Sequence, residues 1–500
     1  MKLNYKRTIL VGFAFFLISA FWQAYDAIVP LALNNHYGLP HTISGFVMSI
    51  DNILAVFMLP IFGALSDKVM TKFGKRTPFI VVGTVAAVVS FILLIVINGI
   101  QLDALKDAGI VDAYNNALEG FEQLKVELKE KVNAGILSSE ARDTMVAEAE
   151  DALTVIKEEL ALRSREITMS NAWPLVGFMA VLLIVLVSMA TFRSPAVALM
   201  PDVTLRPLRS KANAVINLMG TAGGIIILLL STVMSISKKL YSNYLGFVLL
   251  VCAVMLGGLI AFLLTVKEKK WAEEMEEKSI ELGLEEKAED NSEKRKLTGP
   301  EMKSLLLILA SVGLWYIGYN SITSKYVVYA TTVLNIDYGI SLLVAQAAAI
   351  IAYIPVGMVA SRIGRRKTIL AGITMLATAF FIGNFIGEGV SNLVMYPIFA
   401  LAGIGWATIN VNSFPMVVEL AKGGEVGKYT GYYYTASMAA QIVAPILSGI
   451  LYDAFTMRAM FFSFGTVFVV ASFVTMFFVK HGDAKSEKVD ALEALGGAED

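Results

Sequence analysis

The chain has 500 residues, of which 56% are apolar and 17% are charged, and its mean hydropathy is +0.66. A typical soluble chain is about 45–50% apolar and about 25% charged, so this composition excludes a set of ordinary soluble domains. The formal net charge of −1 provides no field that would attract nucleic acid. With one cysteine and three histidines, the chain has no intramolecular disulfide, and we expect neither a bound metal nor another cofactor.

Twelve apolar runs are each long enough to cross about 30 Å of hydrocarbon as a helix. They lie at about 8–33, 42–65, 78–100, 172–197, 213–235, 242–266, 303–333, 338–361, 368–387, 392–418, 427–452 and 459–480. The first run is too long for a signal peptide and is interpreted as an uncleaved span. The predicted fold is an all-α membrane protein with twelve transmembrane helices in two six-helix bundles.

Basic residues are concentrated in alternate short loops, as is typical of cytoplasmic loops. They follow the second span (Lys68, Lys72, Lys75, Arg76), surround the end of the fourth (Arg193, Arg206, Arg209, Lys211) and follow the eighth (Arg362, Arg365, Arg366, Lys367). We therefore expect a multi-pass protein of the cell membrane with both termini in the cytoplasm. We also expect a monomer whose macromolecular surroundings are membrane lipid.

Two polar segments interrupt the apolar runs. Residues 267–300 form a charged linker that divides the chain into 1–266 and 301–480, and 481–500 form a tail. Residues 101–170, on the predicted outer side, favour a helical hairpin with a turn at 133–135. Its predicted apolar faces are Phe121, Leu124 and Leu128 on the first helix and Met145, Ala149, Ala152 and Ile156 on the second. The hairpin is either a tolerated decoration or a lid or partner site.

The two halves resemble each other. Gly63 begins GALSDKVMTKFGKR and Gly357 begins GMVASRIGRR, which pairs Gly74 with the glycine of GRR. The segment from Pro201 aligns without gaps on the segment from Val418, which pairs Asp202 with Glu419. Two six-span repeats around a cavity at the membrane midplane are typical of alternating-access carriers.

The loop after the second span resembles a known family. The run DKVMTKFGKRTPFI from Asp67, together with SPAVALMPD at 194–202 and GRR at 364–366, is similar to the major facilitator transporters. More narrowly it resembles the sucrose transporter and SLC45-like branch, which is related to the glycoside–pentoside–hexuronide cation symporters. The resemblance implies cation-coupled transport of a sugar or glycoside. Melibiose-type sodium symporters carry two acids four residues apart on the second span; here Ala55 follows Asp51 at that spacing, so a proton is favoured over sodium.

Three ionisable side chains lie deep in predicted spans, where each costs at least about 2.5–3.5 kcal/mol on insertion scales. They are Asp26, Asp51 and Lys325, and counted along their helices all three lie roughly 10–14 Å below the outer ends. We predict that Lys325 pairs with Asp26 or Asp51 across the two halves and that protonation of the acid breaks the pair. The alternative is a static ion pair that helps the helices assemble.

A sugar site needs aromatic faces for the ring and amides for its hydroxyls. The candidate substrate residues in the spans are Trp22, Gln23, Tyr25, Asn52, Trp315, Tyr319, Asn320, Asn410, Asn412 and Gln441, with Trp406 and Tyr433 as further aromatics. The alternative for each aromatic is packing or an interface anchor.

A cytoplasmic gate is predicted from the charged loops of both halves. Its residues are Asp67, Gly74, Lys75, Arg76 and Asp202 in the first half and Arg365, Arg366 and Glu419 in the second. We expect Asp202 to contact Lys75 or Arg76, Glu419 to contact Arg365 or Arg366, and Asp67 to lie near the helix start around Gly427. The alternative is exposed loop charge that sets topology. The sequence thus predicts a proton-coupled sugar or glycoside carrier and no enzyme, the rivals being a carrier or exporter of another solute, a sensor or a channel.

Overall fold

The computed structural model describes residues 3–205, 208–282, 297–386, 392–418, 420 and 426–481, and within helices it leaves the side chains of 210, 211, 214, 354, 357, 358, 361, 392, 418, 426–428 and 430 undescribed. The helices are α1 (Tyr5–His36), α2 (His41–Lys68), α3 (Thr77–Asp107), α4 (Ile110–Asn133), α5 (Ser139–Ser170), α6 (Trp173–Asp202), α7 (Arg209–Val233), α8 (Leu245–Thr265), α9 (Glu268–Glu281), α10 (Gly299–Val333), α11 (Tyr338–Ile363), α12 (Arg365–Gly383), α13 (Asn392–Val418), α14 (Val426–Ala454) and α15 (Met457–Phe477).

The predicted all-α membrane fold is confirmed. Among the described helices, eleven are long and apolar enough to cross a membrane, and α11 contributes a shorter apolar segment, Tyr338–Tyr353. These twelve helices correspond to the twelve predicted spans. The remaining three are α4, α5 and α9, which are the hairpin and part of the linker; much of the linker and nearly all of the tail lie outside the described residues.

The two bundles share one packing pattern. In the first, α1 packs on α7 and α8 while α3 packs on α6; in the second, α10 packs on α14 and α15 while α12 packs on α13. The second and fourth membrane helices of each bundle also contact each other, as α2 with α6 and α11 with α13. The bundles meet along α2 with α14 and α7 with α11. The same pairs recur in both halves and across the seam, so the halves are pseudo-symmetric.

Equivalent turns repeat this symmetry in the backbone. The first helix of each bundle ends in a π-helical turn, Ala32–His36 in α1 and Tyr329–Val333 in α10. Each turn is followed two residues later by a left-handed residue, Gly38 (φ 61°) and Asn335 (φ 56°), and glycine and asparagine are the residue types that tolerate this conformation. Gly74 and Gly364, paired by sequence, also share a positive φ, at 121° and 92°.

The hairpin and the linker define the two sides of the molecule. Tyr114 and Glu122 of α4 contact Lys238 in the loop after α7, so this end is called the hairpin side. At the other end, Arg7 of α1 donates to Glu274 of α9, and this end is called the linker side.

The predicted apolar face of α5 is wrong, whereas the first helix buries Phe121 and Leu128 as expected. Met145 and Ile156 are exposed, and α5 instead buries a stripe that includes Leu153, Lys157 and Leu160. The stripe contains polar residues because α5 packs against loop backbone of both bundles, where carbonyl and amide groups need hydrogen-bond partners.

Candidate functional site

A cavity of about 490 Å³ lies between the bundles, within the size range of small-molecule sites. Its wall takes residues from α1, α6 and α7 on one side and from α10, α11, α12, α13 and α15 on the other. A second cavity of about 210 Å³ adjoins it, and the two share Trp22, Asp26, Arg193 and Thr323. Of the predicted site residues, the larger cavity contains Trp22, Gln23, Asp26 and Tyr319, and the smaller adds Asp51, Asn52, Asn320 and Gln441.

An aromatic platform forms one wall of the larger cavity. Tyr319 and Trp406 are stacked with ring centroids 3.8 Å apart and an interplanar angle of 8°, and both line the cavity. The phenol ring of Tyr316 meets the Trp406 ring edge-on at 5.2 Å and holds it in place. The platform offers a flat apolar face next to polar groups.

An amide pair joins the bundles at the same level. Gln346 of α11 donates from Nε2 to Gln23 Oε1 of α1 at 3.2 Å. Gln346 Oε1 and Trp22 Nε1 lack a hydrogen-bond partner among the residues that the structure describes. Buried polar atoms without partners are rare in folded proteins, and a polar ligand held between the bundles would satisfy both.

The first bundle places three charges around the cavities. Asp51 of α2 lies within electrostatic range of Arg193 of α6 and of Asp26 of α1. Arg193 also lies over the Trp22 ring, 5.8 Å from its centroid, a cation–π contact. The cluster therefore holds two carboxylates and one guanidinium, and Asp51 is the carboxylate that Arg193 compensates.

Sequence reasoning misses Arg193, because its position groups it with the loop charges at the end of the fourth span. In the structure it lies inside α6, nine residues before the helix ends at Asp202, about 13 Å along the axis. The apolar runs on both sides of Arg193 were the available signal. Arg193 belongs to the charges inside the membrane helices, which are functional candidates by default.

The predicted pairing of Lys325 with Asp26 or Asp51 is wrong for this conformation. The Lys325 ammonium instead bonds to Ser44 Oγ and lies 3.3 Å from His41 O, both at the start of α2. Lys325 precedes a break in the regular helix of α10 and is fully buried. Ser44 precedes Asp51 by seven residues, about 10 Å along the helix, so the ammonium lies nearer the hairpin side than the sequence count suggested.

Four further substrate candidates lie outside both cavities. Tyr25 and Trp315 are buried in the bundle cores, where Tyr25 packs on Phe21. Asn410 faces the Tyr316 hydroxyl at 3.5 Å, and Asn412 donates to Thr408 O at 2.9 Å. Their side chains support packing rather than the cavity wall.

The hairpin side is closed by contacts between the bundles. Asp453 of α14 accepts hydrogen bonds from the backbone N–H groups of His41 (2.8 Å) and Thr42 (2.7 Å) and from the Thr42 hydroxyl (2.6 Å). A carboxylate of one bundle thus caps a helix of the other, where the helix dipole favours negative charge. Asp337 accepts from the Ser237 hydroxyl at 2.8 Å across the other seam.

Toward the linker side, α2 and α14 diverge. The stripe of α2 that carries Gly45 and Ser49 is buried against α14, where Ser49 donates to Ile442 O at 2.9 Å. Val56 and Pro60 continue the same stripe, seven and eleven residues beyond Ser49, and both are exposed. On α14, Gly431 shares the stripe of Ile442, and a Cβ built there meets nothing within 4 Å. The cavity is therefore closed on the hairpin side and open toward the linker side.

The charged loop after α2 is organised within the first bundle. Arg76 donates to Asp67 at 2.5 Å and to Asp202 at 2.8 Å, and it also bonds to Ser66 Oγ. Burial opposes the Arg76 charge, but the two carboxylates outweigh it and raise the pKa of the guanidinium. The Asp202–Arg76 contact matches the sequence prediction. The role of this cluster in gating stays a prediction.

The second-half members of the predicted gate are only partly described. Arg366 donates to Phe477 O and Met476 O of α15, and so braces its own bundle. Glu419 lies outside the described residues, as do 421–425 and the side chains at the start of α14. Asp67 contacts Arg76, and its predicted position near Gly427 stays a prediction.

A linker residue that sequence reasoning missed caps α3. Glu268 of α9 accepts from the backbone N–H groups of Lys75 (2.6 Å), Arg76 (2.8 Å) and Thr77 (2.7 Å). A Cβ at Gly74 would lie 2.2 Å from the Glu268 carboxyl carbon, so the glycine both adopts its positive φ and leaves room for the cap. Trp271 of α9 is buried nearby, under the Arg7 guanidinium.

Comparisons with known proteins point to one superfamily. A family model described as "MFS/sugar transport protein" matches residues 10–101, and one described as "Major Facilitator Superfamily" matches residues 337–496. A stretch of 108 residues is 27% identical to the MFS-type transporter ppzB of Metarhizium rileyi (strain RCEF 4871) and covers 22% of this chain. The matched stretch spans 22% of that relative's length.

Solved structures share the fold over nearly the whole chain. A bacterial homologue of the iron transporter ferroportin in an inward-facing state has a TM-score of 0.58 at 14% identity, and the match covers 95% of this chain and 99% of that one. The xylose transporter XylE from E. coli in an inward open conformation has a TM-score of 0.56 at 14% identity, with 96% and 97% covered. A D-xylose-proton symporter has a TM-score of 0.53 at 13% identity, with 96% and 99% covered.

The matches support the superfamily and leave the sucrose-transporter branch a prediction. One family match falls in each pseudo-symmetric bundle, and the shared fold covers both. The chain is thus similar, in the stretches that the two family models match and in its fold, to transporters of the major facilitator superfamily.

Proposed function

We propose that the protein is a proton-coupled importer of a sugar or glycoside that works by alternating access. The observation that carries this proposal is the cavity shared by both bundles, which combines a stacked aromatic platform, an amide pair and an acidic cluster. We place the linker side in the cytoplasm, in line with the basic loops, so the conformation described is open to the cytoplasm.

The wall chemistry favours a sugar ring. The apolar face of a pyranose packs on aromatic rings such as the Tyr319–Trp406 platform, and its hydroxyls need donors and acceptors. Gln23, Gln346 and the Thr221 hydroxyl line the same cavity. The resemblance of the loop after α2 to the sucrose-transporter branch points the same way, as does the family match described with sugar transport.

The charge cluster supplies a site for the coupled proton. Asp26, Asp51 and Arg193 together carry a formal charge of −1, and Arg193 compensates Asp51. Asp26 is exposed to the cavity, and the charge that acts on it most is the like charge of Asp51. One proton on Asp26 makes the cluster neutral, which lowers the cost of closing the cavity around it. Asp26 is therefore proposed as the proton carrier, and Asp51 as the partner that holds Arg193 in place.

The test is uptake into vesicles containing the reconstituted protein, with a panel of sugars and glycosides and a pH indicator. Addition of the transported sugar should move protons in the same direction. Asp26→Asn should retain exchange of labelled for unlabelled sugar and lose accumulation driven by a pH gradient. Asp51→Asn should weaken both by at least about tenfold, because Arg193 in the cavity wall loses the carboxylate that holds it in place.

Other outcomes identify the rivals. If Asp26→Asn keeps full pH-driven accumulation, proton coupling through this residue is wrong. Exchange of a different solute, or transport in the opposite direction, would mean another substrate or an exporter. Binding without movement of solute would mean a sensor, and flux without accumulation against a gradient would mean a channel.

A further inference from the structure

The second hairpin helix, α5, touches the equivalent turn of each bundle. In the first bundle, Gly38 lies so close that an added Cβ would be 2.2 Å from Ala161 O. In the second, Lys157 Nζ donates to Thr331 O at 2.9 Å and bonds to Asn335 Oδ1. Lys157 and Ala161 lie one helical turn apart on one face of α5. The hairpin therefore spans the two bundles at positions that the pseudo-symmetry makes equivalent.

The hairpin is anchored to the first bundle. Both of its ends continue into that bundle, through α3 and α6. Gln101 of α3 donates to Thr168 of α5 at 2.9 Å, and Tyr114 of α4 donates to Lys238 O at 3.3 Å. The backbone approach at Gly38 leaves no room for sliding. Any relative motion of the bundles must therefore be taken up at the contacts of α5 with the second bundle.

Polar contacts join α5 to the second bundle. Beside Lys157, Asp151 accepts from Arg458 at 3.0 Å, but both side chains are exposed, and such pairs contribute little. Lys157 is 4% exposed, and its ammonium gives hydrogen bonds to oxygen atoms of the Thr331 and Asn335 turn, which replace bonds to water there. When the turn moves away, the ammonium regains water.

We propose that the hairpin is a moving part of the hairpin-side gate, with Lys157 as its latch. The hairpin travels with the first bundle, and Lys157 engages the turn at Thr331–Asn335 while this side is closed and releases it when the side opens. The proposal rests on the alternating access proposed above. Lys157 touches no substrate; it positions the second bundle against the first.

The experiment measures distances between pairs of spin labels by pulsed electron resonance on the full chain in lipid nanodiscs, with Cys252 replaced by serine. The reporting pair is Val155→Cys on α5 with Phe455→Cys at the end of α14, and the reference pair is Val155→Cys with Lys239→Cys in the first bundle. All three positions are exposed. The distances require no substrate, so they remain informative if the proposed sugar or proton is wrong.

Two variants remove the latch. Lys157→Met keeps the apolar stem and removes the ammonium, while Asn335→Gly removes the amide oxygen and retains the left-handed backbone. Since a hydrogen bond to a charged group contributes enough to shift a two-state equilibrium about tenfold, each variant should raise the ratio of long to short distances in the reporting pair by about that factor. Lys129→Met, at an exposed lysine of α4, is the matched control and should leave both pairs unchanged.

The reference pair should keep one distance throughout. The proposal is overturned if both latch variants leave the reporting pair as in the unmodified chain. It is equally overturned if the reporting pair stays fixed while the reference pair lengthens, because the hairpin would then move with the second bundle. If Lys157→Met does not fold, Asn335→Gly alone decides.

Discussion

The two sides of the molecule use their charged residues differently. On the hairpin side, Asp453, Lys325 and Lys157 each reach from one bundle to the other and bond mainly to backbone groups or neutral side chains. On the linker side, Arg76 bonds to Asp67 and Asp202 within the first bundle. Contacts of the first kind must break when the bundles rock, whereas contacts of the second kind can persist through the cycle.

We call the contacts between the bundles on the hairpin side the gate, and the contacts within the first bundle on the linker side the framework. The hydrogen bonds of Asp453, Lys325 and Lys157 reach backbone groups and neutral side chains of the other bundle, for which water can substitute when the bundles separate. The Arg76 cluster pairs full opposite charges inside one bundle, with hydrogen bonds of 2.5 Å to Asp67 and 2.8 Å to Asp202, so no bundle motion needs to break it. The Arg76 cluster therefore holds the loop after α2 within the first bundle, and a role for this loop in closing the linker side stays a prediction.

The largest expected effect comes from Asp453, whose carboxylate caps α2 across the seam. Asp453→Asn removes the charge and one acceptor, so the hairpin side should open more often. With Thr221→Cys as a reporter in the cavity wall and Cys252 replaced by serine, labelling from the hairpin side by a membrane-impermeant thiol reagent should accelerate about tenfold. Asp107→Asn, an exposed acid at the end of α3, should leave the rate unchanged. An unchanged rate in Asp453→Asn would show that the cap does not hold the gate.

A smaller effect, on the free energy of unfolding, is expected at the Glu268 cap on the linker side. Glu268→Gln should lower the free energy of unfolding of the first bundle by about 1–2 kcal/mol, the usual range for loss of a helix cap. Gly74→Ala should cost a similar amount, because its Cβ would displace the same carboxylate. The double variant should cost less than the sum, since both changes remove one interaction.

Thermal unfolding in detergent measures these changes, with Glu273→Gln at an exposed position of α9 as the control. Full additivity of Glu268→Gln and Gly74→Ala would contradict the account of Gly74 as room for the cap. Glu268→Gln should leave the rate of labelling from the hairpin side unchanged. If it raised that rate without lowering the unfolding temperature, the Glu268 cap would belong to the gate rather than to the framework.

The smallest effect is a pH dependence of linker-helix docking. The hydrogen bond from Arg7 lowers the pKa of Glu274 below its ordinary value of 4.5. A carboxylate with a lowered pKa in the docked state stabilises docking at pH values above 4.5, and this contribution disappears as the pH falls through the lowered pKa. The fluorescence of Trp271, identified as the emission that Trp271→Phe removes, should therefore shift toward longer wavelength on acidification, because the buried indole becomes exposed to water. The same acid titration of Glu274→Gln should show no such shift.

Local sequence patterns predicted the helices and part of the cavity. Apolar runs of membrane length need no tertiary information, and Asp26 and Asp51 drew attention because a carboxylate in such a run is costly. Arg193 was missed because it lies near a basic loop, so that its charge could be explained by the orientation of the loop toward the cytoplasm. The alignment of Gly74 with Gly364 identified two equivalent turns, because the positive φ of each turn restricts that position largely to glycine.

The partners of the charged residues could not be predicted in the same way. Lys325 bonds to a backbone carbonyl and a serine hydroxyl, and Asp453 and Glu268 bond to backbone N–H groups. Backbone groups occur at every residue, so the sequence carries no pattern that selects them. The buried face of α5 was misassigned for a related reason, since it packs against turns whose backbone polarity is invisible to hydrophobic periodicity.

The cavity between the bundles is closed on the hairpin side and open on the linker side at rest. The most direct test is labelling of Thr221→Cys, with Cys252 replaced by serine, by an impermeant thiol reagent applied to either face of vesicles of known orientation. Labelling should be rapid from the linker side and at least about tenfold slower from the hairpin side. Equal rates from both faces, or faster labelling from the hairpin side, would contradict closure on the hairpin side.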